Sequence, residues 1–85
     1  MTGKRSKFEI YLEILTIMSK EETKPTRIMY ETNLSWVPFQ EYLKHLIDQN
    51  NIKEIENNKR KEYLITDKGI KAIKYFEEII QLIKV

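Results

Sequence analysis

Residues 26–69 read TRIMYETNLSWVPFQEYLKHLIDQNNIKEIENNKRKEYLITDKG, and this stretch decides the fold. Thr26, following Pro25, is expected to cap a short helix that runs to Glu31. Thr32-Asn33-Leu34 reads as a tight turn, because Asn tolerates left-handed backbone, and Leu34 is expected as a plug in the core. Ser35 is placed to cap a third helix, with Pro38 still in its first turn, where a missing N–H costs little. Phe39, Leu43, Leu46 and Asn50 recur at helical spacing, with Tyr42 and Ile47 beside them, and give the expected buried face. Asn50-Asn51 stand where a helix end favours left-handed backbone. Ile52–Glu56 and Lys61–Thr66 are then strand candidates around a polar tip, Asn57-Asn58-Lys59-Arg60, with Ile55, Tyr63 and Ile65 supplying the half-buried alternation. Thr66 caps a final helix, and Asp67 suits its positive end.

Outward from this stretch, Ser6 is expected to cap a first helix to about Ser19, with Glu9 three residues on completing a capping box. Phe8, Ile10, Tyr11, Leu12, Ile14, Leu15, Ile17 and Met18 cover well over half of that helix, a stripe wider than one small domain needs. The Glu21–Pro25 connector is polar, with room for one short strand beside the later hairpin. The last helix, 67 to about 84, carries Ala72, Ile73, Tyr75, Phe76, Ile79, Ile80, Leu82 and Ile83 over half its circumference. Ala72, Phe76, Ile79 and Ile83 also fit a coiled-coil seam. Two broad apolar stripes in so short a chain predict a homodimer, its seam built from Phe8, Tyr11, Leu12, Leu15, Ala72, Tyr75, Phe76, Ile79, Leu82 and Ile83. The order helix, helix-turn-helix, hairpin, helix is that of a winged helix-turn-helix, an α+β fold that is mostly α. The unit itself spans 1–66, and 67–85 is the dimerisation helix of the same single domain.

Composition limits what such a chain can do. Its 85 residues carry a formal charge of only +2, so any affinity for nucleic acid must come from how charge is arranged. With no cysteine there is neither a disulfide nor a thiolate metal site. His45 is the single histidine. It and Asp48, one turn away, read as solvated side chains, since a catalytic or metal site needs several convergent groups. The chain has two glycines and no phosphate-cradling loop. No enzyme activity, cofactor, metal or small-molecule ligand is therefore expected. No run approaches the roughly 18 apolar residues of a membrane span, and nothing reads as a signal peptide. A cytoplasmic, nucleoid-associated location is expected.

The DNA-binding candidates are positional. The third helix is expected to expose Val37, Pro38, Gln40, Glu41, Lys44 and His45, with Ser35 and Trp36 at its start. Gln40 suits adenine, Lys44 a phosphate or guanine, and Val37 and Pro38 thymine methyl groups, while Glu41 repels phosphate unless it accepts from a cytosine amine. Trp36 reads first as a packing residue, with its ring N–H within reach of phosphate as the alternative. Asn57, Asn58, Lys59, Arg60 and Lys61 form a basic tip suited to backbone contact or to a narrow minor groove. Lys4, Arg5 and Lys7 make a second basic cluster, and Thr26 and Arg27 can anchor the backbone at the second helix. The competing reading is a winged-helix module that holds a protein partner through its apolar faces and binds no DNA; the low net charge and Glu41 favour it, and the basic tip opposes it.

KRSKFEIYLEIL (4–15), TRIMYETNLSW (26–36), the Tyr42-Leu43 pair with Leu46, and EYLITDKG (62–69) resemble the small archaeal winged-helix DNA-binding proteins. Within that group the likeness is to the crenarchaeal nucleoid-associated proteins and their virus- or plasmid-borne relatives. The resemblance implies a dimer built on an antiparallel C-terminal coiled coil, and double-stranded DNA bound by the third helix and the wing. Trp36-Val37-Pro38 departs from the hydrogen-bonding residues that group would place there. The short C-terminal helix implies a more compact dimer.

Overall fold

The computed structural model describes residues 5–83, so Lys4 and the end of the last helix at Lys84 lie outside the described residues. The elements are α1 (Lys7–Ser19), α2 (Pro25–Thr32), α3 (Trp36–Asp48), β1 (Ile52–Asn57), β2 (Arg60–Ile65) and α4 (Asp67–Ile83). This is the expected winged helix-turn-helix order, mostly helical, with one two-stranded antiparallel sheet.

Each helix starts where a side chain or a proline disposes of free N–H groups. At α1, Ser6 Oγ accepts from the Glu9 N–H (3.1 Å) while the Glu9 carboxylate accepts from the Ser6 N–H (2.7 Å). These bonds from Ser6, the backbone one first, hold the Glu9 carboxyl below its ordinary pKa. At α2 the structure corrects the expected cap. The helix begins two residues earlier, with Lys24 as N-cap and Pro25 in its first turn, so Thr26 lies inside the helix. A proline there gives up no bond and is pre-set for helical φ, an advantage that outweighs the capping hydroxyl one residue later. Ser35 does precede α3, but its side chain makes no capping bond.

The turn between α2 and α3 hinges on Asn33, which adopts φ 61°. Thr32 is fully buried beneath it and donates to the Ile28 carbonyl at 2.9 Å, so its hydroxyl is satisfied inside the core. Leu34, expected as the plug, is only half-buried against that core. The core proper gathers Ile10, Ile14, Leu15 and Met18 of α1, Ile28 of α2, Phe39, Leu43 and Leu46 of α3, Ile52 of β1 and Tyr63 of β2. Asn50 is no part of it. It is exposed at φ 63°, the left-handed residue that ends α3.

The hairpin is tighter than its sequence suggested. Asn57 pairs with Arg60, leaving a two-residue tip, Asn58-Lys59, with φ of 53° and 65°. Positive φ at both central residues is the turn whose twist matches that of the flanking strands. Ile52 pairs with Ile65 and Glu54 with Tyr63, so these share the core face, whereas Ile55 pairs with Glu62 on the opposite face. Ile55 therefore does not share a face with Tyr63 and Ile65 as expected; paired with Glu62, it lies with Leu64 on the outer surface. No third strand forms among the described residues, but the Tyr63 N–H donates to the Thr23 carbonyl at 3.0 Å and Thr23 Oγ1 bonds Glu62 at 3.1 Å. That contact ties the wing to the connector before α2.

Candidate nucleic-acid interface

In α3, Phe39, Leu43 and Leu46 point inward, which at 100° per residue puts Val37, Glu41, Lys44 and Asp48 at the centre of the outer face. Val37 is 64% exposed, and Gln40, Glu41, Lys44 and His45 are exposed too, as expected. Pro38 is half-buried. Trp36, 46% exposed, leans on Phe39 with ring centroids 6.1 Å apart, a packing role that leaves one edge of the indole in solvent.

His45 and Pro38 face the flank of α3 that meets α1. Tyr11 stacks there on His45 (5.1 Å) and meets Tyr42 edge-on (4.9 Å). Burial first, and then the neighbouring Tyr42, raise the Tyr11 phenol above its ordinary pKa. This aromatic set fixes the angle of α3 on α1, and thereby the direction in which the outer face points. Tyr11, expected at the dimer seam, is thus committed to α3. Leu15, also expected there, is 1% exposed and spent on the protomer's own core.

The cations differ in how free they are. Arg5 is paired with Glu13, and Arg27 with Glu31 at 3.2 Å and Glu22 at 3.9 Å. Lys61 reaches Glu54 at 3.8 Å on the core-side face of the hairpin. Among the described residues no carboxylate lies within 4.0 Å of the charged groups of Lys44, Lys59 or Arg60. Exposed pairs of this kind are worth about 0–1 kcal/mol, so Arg27 and Lys61 exchange a carboxylate for a phosphate at little cost.

Several of these residues converge. Arg60 and Lys61 of β2 line one open groove with Lys24, Pro25 and Thr26 at the start of α2. The wing's cations and the expected backbone anchor Thr26 therefore belong to one continuous surface. Arg27 lies one residue further along α2, in a neighbouring cleft with Lys24, Thr26 and the exposed Tyr30. Lys24 and Tyr30 were not singled out by the sequence. The signal available was Pro25, which fixes the start of α2 and so puts Lys24 at its positive end beside the wing.

Phe8 and Leu12 of α1 and Phe76, Ile79, Ile80 and Ile83 of α4 line an open groove of about 460 Å³, edged by Ser6 and Glu9. Phe8 and Phe76 meet at 5.9 Å. Ile79, Leu82 and Ile83 are 52%, 84% and 72% exposed. Tyr75 is also exposed, whereas Ala72 is half-buried at the root of the helix. Ile80, missing from the expected seam, lines this groove.

This architecture, a helix-turn-helix with a basic two-stranded wing and a flanking helix, defines a winged helix-turn-helix protein. The family pattern described as winged helix-turn-helix matches residues 4–84, and the chain belongs to that family. Two uncharacterised proteins of the archaeon Methanocaldococcus jannaschii are similar to it. One is 36% identical over 80 residues, which are 94% of this chain but 36% of the relative; the other is 39% identical over 79 residues, 93% of this chain and 77% of the relative. The chain thus spans about a third of one of these relatives and most of the other. Both are euryarchaeal. Among solved structures, Sso10a-2, a DNA-binding protein from Sulfolobus solfataricus, superposes with a TM-score of 0.80 at 32% identity, covering 92% of this chain and 81% of that one. No described helix is long and apolar enough to cross a membrane.

Proposed function

We propose that the chain binds double-stranded DNA as a homodimer, acting as a transcription regulator or an architectural protein of the nucleoid in the cytoplasm. The N-terminal half of α3 enters the major groove, and the wing, 57–61, lies on the adjacent backbone or minor groove. The carrying observation is the shared groove in which Arg60 and Lys61 of the wing meet Lys24 and Thr26 of α2. Two elements far apart in sequence there bring three cations to one groove that holds, among the described residues, a single acid, Glu62, an arrangement that a net charge of +2 does not require. Family membership and the DNA-binding protein among the structural neighbours support the reading.

The second copy is inferred from α4. Of the residues in this 17-residue helix only Gly69 is buried, so an apolar stripe over its last turns stays open to water. Ile79, Ile80 and Ile83, with Phe8 and Leu12 of α1, make a patch that a second copy covers by the same patch on itself. In this reading residues 1–66 are the DNA-binding unit and 67–85 the dimerisation helix. A two-fold pair of α3 helices then reads two half-sites at a spacing that the α4 contact sets.

The wing is tested by salt. Replacing Lys59, Arg60 and Lys61 together with Ala removes two unpaired cations and one weakly paired one. The slope of log affinity against log salt should become shallower by about 2, at roughly 0.9 per phosphate neutralised. Affinity for random duplex at moderate salt should fall at the same time. Titrations of fluorescent duplex at several salt concentrations measure both. Unchanged affinity and slope would remove the wing from the interface, and a wild-type protein that holds no duplex at low salt would favour the protein-binding module instead.

A further inference from the structure

Glu41 stands at the centre of the outer face of α3, one turn from Val37 and beside Lys44. It is exposed, and among the described residues no cation lies within 4.0 Å of it and no side-chain hydrogen bond engages it. Of the acids around the other candidate contacts, Glu13 is paired with Arg5, Glu22 and Glu31 with Arg27, and Glu54 with Lys61, while Glu56 and Glu62 flank the basic wing. Asp48, also unpaired among the described residues, lies at the far end of α3, so Glu41 is the uncompensated carboxylate of the N-terminal half of the outer face, in a cleft that Lys7 also lines.

A carboxylate only accepts hydrogen bonds, and phosphates repel it. In the major groove the available donors are the amino groups of cytosine and adenine. Adenine sets the acceptor N7 beside its amino group, whereas cytosine offers its amino group without an adjacent acceptor. Lys44, three residues on and on the same face, supplies the opposite chemistry, a donor for the O6 and N7 of guanine. Resting on the DNA-binding reading above, we infer that Glu41 is the specificity-determining residue of this protein, selecting cytosine at one position of each half-site, with Lys44 on a neighbouring guanine. Where that cytosine is absent, the same carboxylate opposes binding, so Glu41 discriminates by repulsion as well as by attraction.

Selection of bound duplexes from a random pool tests this with the wild-type chain, Glu41→Ala and Glu41→Gln. The wild type should enrich cytosine about ten-fold at one position per half-site. Glu41→Ala should lose that enrichment and bind duplexes lacking the cytosine more tightly than the wild type does. Glu41→Gln should move the preference at that position towards adenine, which an amide reads through N6 and N7. Thermal melting of both variants should match the wild type, since the side chain is solvent-exposed and unpaired. Enrichment that is the same in wild type and Glu41→Ala, or a wild type that binds duplex with no cytosine position, overturns the assignment and leaves DNA binding intact. A wild type that enriches no duplex overturns both.

Discussion

The double variant Ile79→Asp, Ile83→Asp should sediment as a monomer and lose two or more orders of magnitude in affinity for a two-half-site duplex. Both side chains line the open groove between α1 and α4, are more than half exposed in the protomer, and support no part of its own core. The protomer should therefore keep its fold. In a two-fold pair each substitution appears twice, so four carboxylates would enter an apolar contact beside Phe8, Leu12 and Phe76. Unpaired buried charge costs several kcal/mol per pair of copies, more than a contact of this size supplies.

The consequence for DNA follows from linkage. A dimer's second half-site binds as an intramolecular event at an effective concentration in the millimolar range, which multiplies affinity by about 10²–10⁴ without new contacts. A folded monomer keeps Lys59, Arg60 and α3 but forfeits that factor. Affinity for a single half-site should change little, and the ratio between full-site and half-site binding should collapse. Sedimentation of both proteins with paired duplex titrations measures this. A monomeric wild type, or a variant that remains dimeric, removes the α1–α4 groove as the seam.

Much of the fold was legible because its boundaries are chemical. Ser6 with Glu9, Asn33, Asn50 and Thr66 each satisfy free backbone groups or tolerate left-handed backbone, and the structure uses all of them at element ends. Less legible was which partner each face meets. The stripe of α1 is wide because it serves three neighbours: Ile10, Ile14 and Met18 face the core, Tyr11 meets Tyr42 and His45 of α3, and Phe8 and Leu12 face α4. Periodicity reports the width of a stripe but not its partition, so it does not show that Leu15 is buried in the protomer's own core or that Tyr11 packs on Tyr42 and His45. Hairpin register was hidden for a similar reason. Alternation within one strand does not say which residues of the other share its face, and only the observed pairing of Ile55 with Glu62 puts Ile55 on the face away from Tyr63 and Ile65. The state of the cations was invisible too, because Arg5, Arg27 and Lys61 find carboxylates that proximity in sequence predicts only for Arg27 and Glu31.

Replacing Gly69 with Ala should lower stability by about 3 kcal/mol or more, the scale of the worst steric substitutions. In a domain this size that is a fall in Tm of more than about 10 °C. Position 69 lies in the first turn of α4, where Ala in place of Gly ordinarily stabilises a helix by about 0.5–1 kcal/mol, so the expected sign is reversed. The reason is a close approach. A Cβ at 69 would overlap the Asn51 carbonyl oxygen and come within 2.7 Å of Ile65 Cγ1. That carbonyl cannot retreat freely. It accepts from the Thr66 N–H at 3.0 Å, and Thr66 Oγ1 lies 3.0 Å from it while donating to the Asn50 carbonyl at 2.7 Å and capping the Gly69 N–H at 3.1 Å. Lys68 adds a bond to the Gln49 carbonyl at 2.6 Å. The end of α3 and the start of α4 are thus locked together by backbone carbonyls of residues 49–51. Pushing them apart would also rotate α3, the proposed DNA-facing helix, relative to the proposed seam, so any Gly69→Ala protein that still folds should bind a two-half-site duplex with an altered optimal spacing. Lys71→Ala, an exposed change on the same helix, is the control and should melt within about 1 kcal/mol of the wild type. Equal stability of Gly69→Ala and the wild type would show that the Asn51–Gly69 approach relaxes easily and does not fix α4 on α3.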